Sequence, residues 1–457
     1  MKYSNAPLIL AILIFLFLYL PFFGLIPYRD GNIDFIQSYN FYQGGFNEYF
    51  ENWSTVHPPF KIALQKLLFS VFGLNTSSYS LLGLGFGLTG IISLYLLNKA
   101  LFNKEVAGLS AVLLSSSPLF LATGIFGLSD YLVTSLILLS LYLYISKKTL
   151  LFVLSASAAV LAKETALLLP IAALLVEIIH SRGKLKNLKG LLFPLLPLVI
   201  FGFWSFFLKL NGKSSWGDYI FAETKSQGTF LTIINNILTF GFLNKYAYQH
   251  WLQLFLLNFN WVFWLVILLG ILLNIKNLKK ILKQRSFLVI TIFCFSYLVT
   301  VLGLQTYTIP RYGLPLIPFM LTGVALTMSY LIKKSLYLGL VVTFCIVSII
   351  PVSLFFSLDP VSERVWGKNK VLGEEIYALN KTLAGNDGIT YNMQYLKMAR
   401  KRSTAITNAS AGSFKPDRSL PCQEVFADPN NDNRMVKILK LEEGNITSYF
   451  PCRFEAR

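Results

Sequence analysis

Charge is what this chain has least of. Only 14% of its 457 residues are charged, where a soluble domain carries about 25%. That shortfall excludes an ordinary soluble globular protein, because 54% hydrophobic residues and a mean hydropathy of +0.58 leave more apolar surface than one core can hide. Acidic residues are scarce too, 22 against 40 basic ones, for a formal net charge of +18. The basic residues sit in short links between apolar blocks rather than in one patch, so nucleic acid is not the expected partner. Four cysteines are too few for a disulfide scaffold, and no metal-type spacing occurs. There is no internal repeat or low-complexity tract. The first apolar block is preceded by a lysine but lacks a small-residue cleavage site after it, so it reads as a retained signal anchor.

What is present is a series of long apolar blocks, each near the ~20 residues that a helix needs to cross a bilayer. They run near Ala6–Ile26, Ser80–Asn98, Val106–Phe126, Tyr131–Ser146, Gly190–Leu210, Leu252–Asn274, Phe287–Thr306, Tyr312–Ile332 and Leu336–Phe356. Leu150–Ile179 is too long for one span and is interrupted by Lys163-Glu164, which predicts two short helices meeting at that pair. The expectation is an all-α polytopic membrane protein with about 11 spans.

Lys99 and Lys104, Lys147-Lys148, Arg182 to Lys189, Lys276 to Arg285 and Lys333-Lys334 fall on every second link. By the positive-inside rule those links are cytoplasmic, which places the N-terminus inside the cell membrane and the C-terminus outside. Composition changes after Phe356, dividing the chain into a membrane domain, 1–357, and a soluble extracytoplasmic domain, 358–457, read as small and α/β. Cys422 and Cys452 would there face an oxidising space and are expected to pair, the alternative being two free buried thiols. N-glycosylation-like triplets at Asn52, Asn75, Asn380, Asn408 and Asn445 all fall on the outer side. Two outer links are long, 28–79 and 211–251. In the first, Pro58-Pro59 opens an amphipathic helix ending near Gly73. Its Lys61, Gln65 and Lys66 predict that it lies along the membrane surface. Aromatics in the second link read either as an interfacial belt or as a sugar-stacking surface.

Ionisable residues at span ends are costly and therefore informative. On the outer side they are Asp30, Asp34, His57, Asp130, Lys163, Glu164 and Arg311. Each has a bland reading: a turn aspartate for Asp30, a helix cap for His57 or Asp130, an ion pair over the break for Lys163 and Glu164, snorkelling for Arg311. Together they supply carboxylates that can take a proton from a hydroxyl and cations that can hold a phosphate.

Their order is more specific than any one of them. A first-loop aspartate, then His57-Pro58-Pro59-Phe60 opening a helix that ends in Phe72-Gly73, resembles the bacterial and archaeal C-type glycosyltransferases. These are relatives of protein O-mannosyltransferases and lipid A aminoarabinose transferases. Leu128-Ser129-Asp130, Ala162-Lys163-Glu164-Thr165 and Pro310-Arg311-Tyr312-Gly313-Leu314-Pro315 resemble further landmarks, so the likeness covers roughly 1–332. The family commonly has two acids after its first span; here Gly31 stands in the second place, while the 14-residue spacing from Asp30 to Gly44 matches. Without the second acid a divalent metal is not indicated, though it stays open, and no cofactor is implied.

The resemblance implies a sugar donor linked to polyprenyl phosphate, an acceptor arriving from outside, and inversion at the anomeric carbon. It puts Asp30 in the role of base, Asp130 and Asp34 at the acceptor or donor sugar, His57, Lys163 and Arg311 at the phosphate, with Glu164 and Tyr312 in support. The alternatives are a transporter or flippase of lipid-linked sugars and a polymerase or ligase of lipid-linked glycans. Most charges are terminal and no halves repeat, unlike a transporter.

Overall fold

The structure is a computed structural model that describes residues 5–24, 30–51, 57–74, 76–125, 127–181, 188–213, 229–241, 255, 259, 261–282, 284–303, 310–335, 337–341, 343–346, 348, 423–427, 435–443 and 446–451. The chain begins with α1 (Ala6–Tyr19), followed by α2 (Asp30–Glu51), α3 (Phe60–Phe72) and α4 (Thr76–Leu101). Next come α5 (Lys104–Ser115), α6 (Pro118–Ile125), α7 (Ser129–Ile145), α8 (Thr149–Val160) and α9 (Leu168–Ser181). The series continues with α10 (Leu188–Leu210), α11 (Thr229–Leu238), α12 (Trp261–Leu282), α13 (Arg285–Gly303) and α14 (Ile317–Lys334). Short 3-10 turns at Glu164–Leu167 and Pro310–Leu316 lead into α9 and α14.

Four helices among the described residues are long and apolar enough to cross a membrane, or five if a bent pair counts as one span. The bent pair is α5 and α6, turned by 54°. Pro118 lacks an N–H and disfavours helix at Ser117 before it, while the Ser115 and Ser116 hydroxyls fold back onto the Val112 carbonyl. The sequence reading took this block as one straight span. The stretch from Leu150 breaks as its two charges predict, α8 ending at Val160 and α9 resuming at Leu168.

The centre of the bundle is α7, buried along nearly its whole length between α4 and α8. Hydrophobic burial does not drive helices together in lipid, so close approach matters more. On α4, Gly83, Gly87 and Gly90 form a small-residue stripe, against which Tyr19 and Phe15 of α1 and Tyr131 and Ser135 of α7 pack directly. Asn98 adds a polar cross-tie, donating to Ser110 at 2.7 Å and to Thr322 at 2.9 Å.

The first long link is built rather than loose. α2 fills its first part, kinked at Gly45, whose φ of 71° lies in the left-handed region that favours glycine. α3 ends at Gly73 as expected. Its polar stripe is only partly at the surface. Lys61, which pairs with Asp34 of α2, and Gln65 are buried and Lys66 is half-buried, while Leu67, Val71 and Phe72 are exposed. Of the second link, 211–213 and 229–241 are described, the latter holding α11, with Asn236 donating to the Gly303 carbonyl at 2.8 Å.

In the C-terminal region three strands, β1 (Gln423–Ala427), β2 (Met435–Glu443) and β3 (Ile446–Pro451), form an antiparallel sheet in the order β1-β2-β3. Helices expected there, Cys422, Cys452 and the asparagines of the five triplets lie outside the described residues.

Candidate active site

Six of the expected residues meet at one end of the bundle, five of them in buried or half-buried ion pairs that join distant parts of the chain. Asp130 lies in the first turn of α7 and does not cap it; the cap position is Leu128. Its carboxylate accepts from Lys163 Nζ at 2.5 Å and faces Arg311 Nε at 3.6 Å. Lys163 occupies the gap between α8 and the Glu164–Leu167 turn in extended backbone, which swings its side chain back across the bundle. Arg311 opens the turn before α14 and is only 5% exposed, so it is not snorkelling. Tyr312 closes the cluster: Lys163 Nζ sits 4.5 Å and Arg311 Cζ 5.6 Å from its ring centre, a cation–π arrangement. Its carbonyl accepts from the Tyr297 hydroxyl of α13 at 3.0 Å.

Glu164 does not pair with Lys163 across the break. It takes His57 instead, Nδ1 to Oε2 at 3.0 Å, and the Phe60 N–H donates to the Leu161 carbonyl at 2.9 Å. The start of α3 is thereby tied to the broken helix, and Pro59, not His57, holds the cap position of α3.

Asp34 is the seventh residue, and its surroundings were not foreseen. It is buried in α2, paired to Lys61 of α3, and accepts from Ser129 Oγ at 3.1 Å. Lys61 also donates to the Gly127 carbonyl. Asp30 begins α2, but its side chain lies outside the described residues. Among the described residues no three His, Cys, Asp or Glu side chains gather as a metal site would require.

An apolar cavity of about 860 Å³ lies between α12, α13 and α14, and none of the cluster's residues lines it. Leu302 and Leu316 form its end nearest the Pro310–Leu316 turn, and the exposed Phe295 marks its outer side. Leu316, the last residue of the turn that carries Arg311 and Tyr312, links the cavity to that turn.

Residues 56–207 match the family model described as dolichyl-phosphate-mannose-protein mannosyltransferase. That third of the chain carries His57, Asp130, Lys163 and Glu164. The archaeal oligosaccharyltransferase AglB from Archaeoglobus fulgidus, solved in complex with an inhibitory peptide and a dolichol-phosphate, superposes with a TM-score of 0.51 at 14% identity. The match covers 87% of this chain and 59% of AglB, and the apo form of that enzyme gives 0.53 over the same shares. The fold is that of the C-type glycosyltransferases. ArnT from Cupriavidus metallidurans, bound to undecaprenyl phosphate, is also similar, with a TM-score of 0.48, 16% identity, and coverage of 90% of this chain and 75% of ArnT. No curated protein matches the chain in sequence. Two residues beside Asp34 and Gly127, Lys61 and Tyr79, escaped the sequence reading. Lys61 was placed in a surface stripe, and Tyr79 carried no local signal at all.

Proposed function

We propose that this C-type chain transfers a sugar from a polyprenyl-phosphate donor to an acceptor on the outer face of the cell membrane, inverting the anomeric carbon. The observation that carries the reading is the convergence of Lys163 and Arg311 on Asp130 and Tyr312, on a turn whose last residue, Leu316, lines an apolar cavity. A polyprenyl phosphate has those two parts, an anionic head and a hydrocarbon tail. The phosphate leaves already ionised, so the site needs cations to hold the charge as it grows, and cations that are already oriented by Asp130 need little reorganisation. His57, oriented by Glu164, adds a third group on the same side.

The acceptor hydroxyl needs one base, and Asp30 takes that role at the start of α2. Asp130 orients the two phosphate-holding cations and the sugar between them. Asp34 belongs with the scaffold, since Lys61 and Ser129 already engage its carboxylate. The domain division at 357/358 and the outward orientation of the 358–457 segment go with this reading.

The test is polyprenyl-phosphate binding by protein in lipid nanodiscs. Charged hydrogen bonds contribute about 1.5–3 kcal/mol each, so Arg311→Ala should weaken binding roughly ten- to hundred-fold. Arg311→Lys should fall between Ala and wild type, because it keeps the charge but loses the planar fork. Equal binding by a folded Arg311→Ala protein removes Arg311 from the phosphate. Passage of lipid-linked sugars across vesicles without any transfer would instead favour the flippase alternative.

A further inference from the structure

We propose that Tyr79 and Lys61 are positioning residues, which hold the helix that begins at Asp30 against the turn that delivers Asp130. The inference rests on the transfer reading above for its chemistry, but its geometry stands apart from that reading. The Tyr79 hydroxyl, at the start of α4, lies 2.9 Å from the Gly31 carbonyl and 2.8 Å from the Gly127 carbonyl. A phenol has one proton, so it is shared between two carbonyls nearly a hundred residues apart in sequence. Gly31 follows Asp30 directly, and Gly127 precedes Asp130 by one turn of chain.

Lys61 makes the same bridge one layer away. It donates both to Asp34 of α2 and to the Gly127 carbonyl, and its ammonium sits 5.6 Å from the centre of the Tyr79 ring. Ser129 closes the loop by donating to Asp34 at 3.1 Å. Tyr79 and Lys61 are 1% and 3% exposed, so these bonds form in a medium that strengthens them and penalises any partner left behind. Gly127 fits the clasp for two reasons. Its φ of 60° suits glycine, and a Cβ there would collide with the Tyr79 ring. Neither Tyr79 nor Lys61 has a described contact with Asp130 itself. They act through the backbone on either side, setting how far apart the two acids stand.

Displacing a reacting group by about 1 Å can cost on the order of a hundred-fold in rate. Tyr79→Phe keeps the ring and removes only the shared proton. In nanodiscs it should lower kcat by roughly ten- to hundred-fold while donor KM stays within about two-fold, because the phosphate is held elsewhere. A purely structural residue would not show the second signature: in an Asp30→Asn background Tyr79→Phe should cost almost nothing further, since its effect passes through that carboxylate. Lys61→Met alone strands the buried Asp34 carboxylate, so the variant to measure is Asp34→Asn/Lys61→Met, expected to reproduce the loss of kcat. Hydrogen exchange supplies a readout that needs no activity. Peptides covering 30–40 and 127–135 should exchange faster together in Tyr79→Phe, with the rest of the protein unchanged. Full kcat in Tyr79→Phe, additive losses with Asp30→Asn, or unaltered exchange in both peptides would each overturn the clasp. A wild type that shows no transfer, with exchange rising as stated, would sink the transfer reading and leave the clasp standing.

Discussion

The two ends of the helical bundle use charge in opposite ways. At the end carrying Asp130, ion pairs are buried: Lys163, Asp130, Lys61, Asp34 and Arg311 side chains are each 3–5% exposed. At the other end the cations are open. Lys333 meets Glu105 at 3.3 Å with 60% and 37% of the side chains exposed, and Arg285, 49% exposed, reaches Glu177, which is 12% exposed. An exposed pair contributes about 0–1 kcal/mol, so the second end needs no particular partner. Breaking a buried pair costs about 3–5 kcal/mol, chiefly because one charge is left stranded. A chain keeps charges in so costly a setting where they are needed for chemistry, and this is the end at which the broken helix, the late turn and the first outer link all meet.

That contrast can be broken or sharpened by substitution. The largest effect is expected at Asp30. Asp30→Asn keeps shape but cannot accept a proton, and turnover should fall about a hundred- to ten-thousand-fold with donor affinity little changed. Turnover within a few-fold of wild type would move the base to another acid. Next comes Asp130→Asn, which leaves two buried cations without their shared carboxylate. It should lower stability by about 3–5 kcal/mol, seen as a clear drop in the thermal unfolding midpoint in detergent. The smallest effect belongs to the open end: Glu105→Gln should shift stability by no more than about 1 kcal/mol. If Glu105→Gln proves as damaging as Asp130→Asn, the two ends do not differ in the way described.

The parts of this molecule that were legible in its sequence are those governed by one requirement of lipid. Every backbone polar group must be satisfied within a helix, so apolar blocks of span length announce themselves. The break at Lys163-Glu164 was legible for the same reason, as two charges inside an apolar run. The pairing of those two residues was not. Lys163 goes to Asp130, 33 residues earlier, and Glu164 to His57, 107 residues earlier, because Lys163 sits in extended backbone while Glu164 opens the 3-10 turn, and their side chains leave in different directions. Lys61 was misplaced because periodicity tells which residues share a helix face and is silent on the medium that face meets. Tyr79 is one of 23 tyrosines, and nothing near it in sequence distinguishes it. The Ser116-Ser117-Pro118 bend lay inside a block whose hydropathy is that of a straight span, so composition masked it.

The cavity between α12, α13 and α14 is lined by apolar side chains, and on the proposed donor reading this sets the dimensionality of supply. A donor whose hydrocarbon tail occupied it would stay in the membrane on its way to Arg311. Its relevant concentration is then a mole fraction in the bilayer, counted per lipid rather than per litre. Adding inert phospholipid to a fixed quantity of donor and protein should slow the reaction, although nothing in the surrounding water has been diluted.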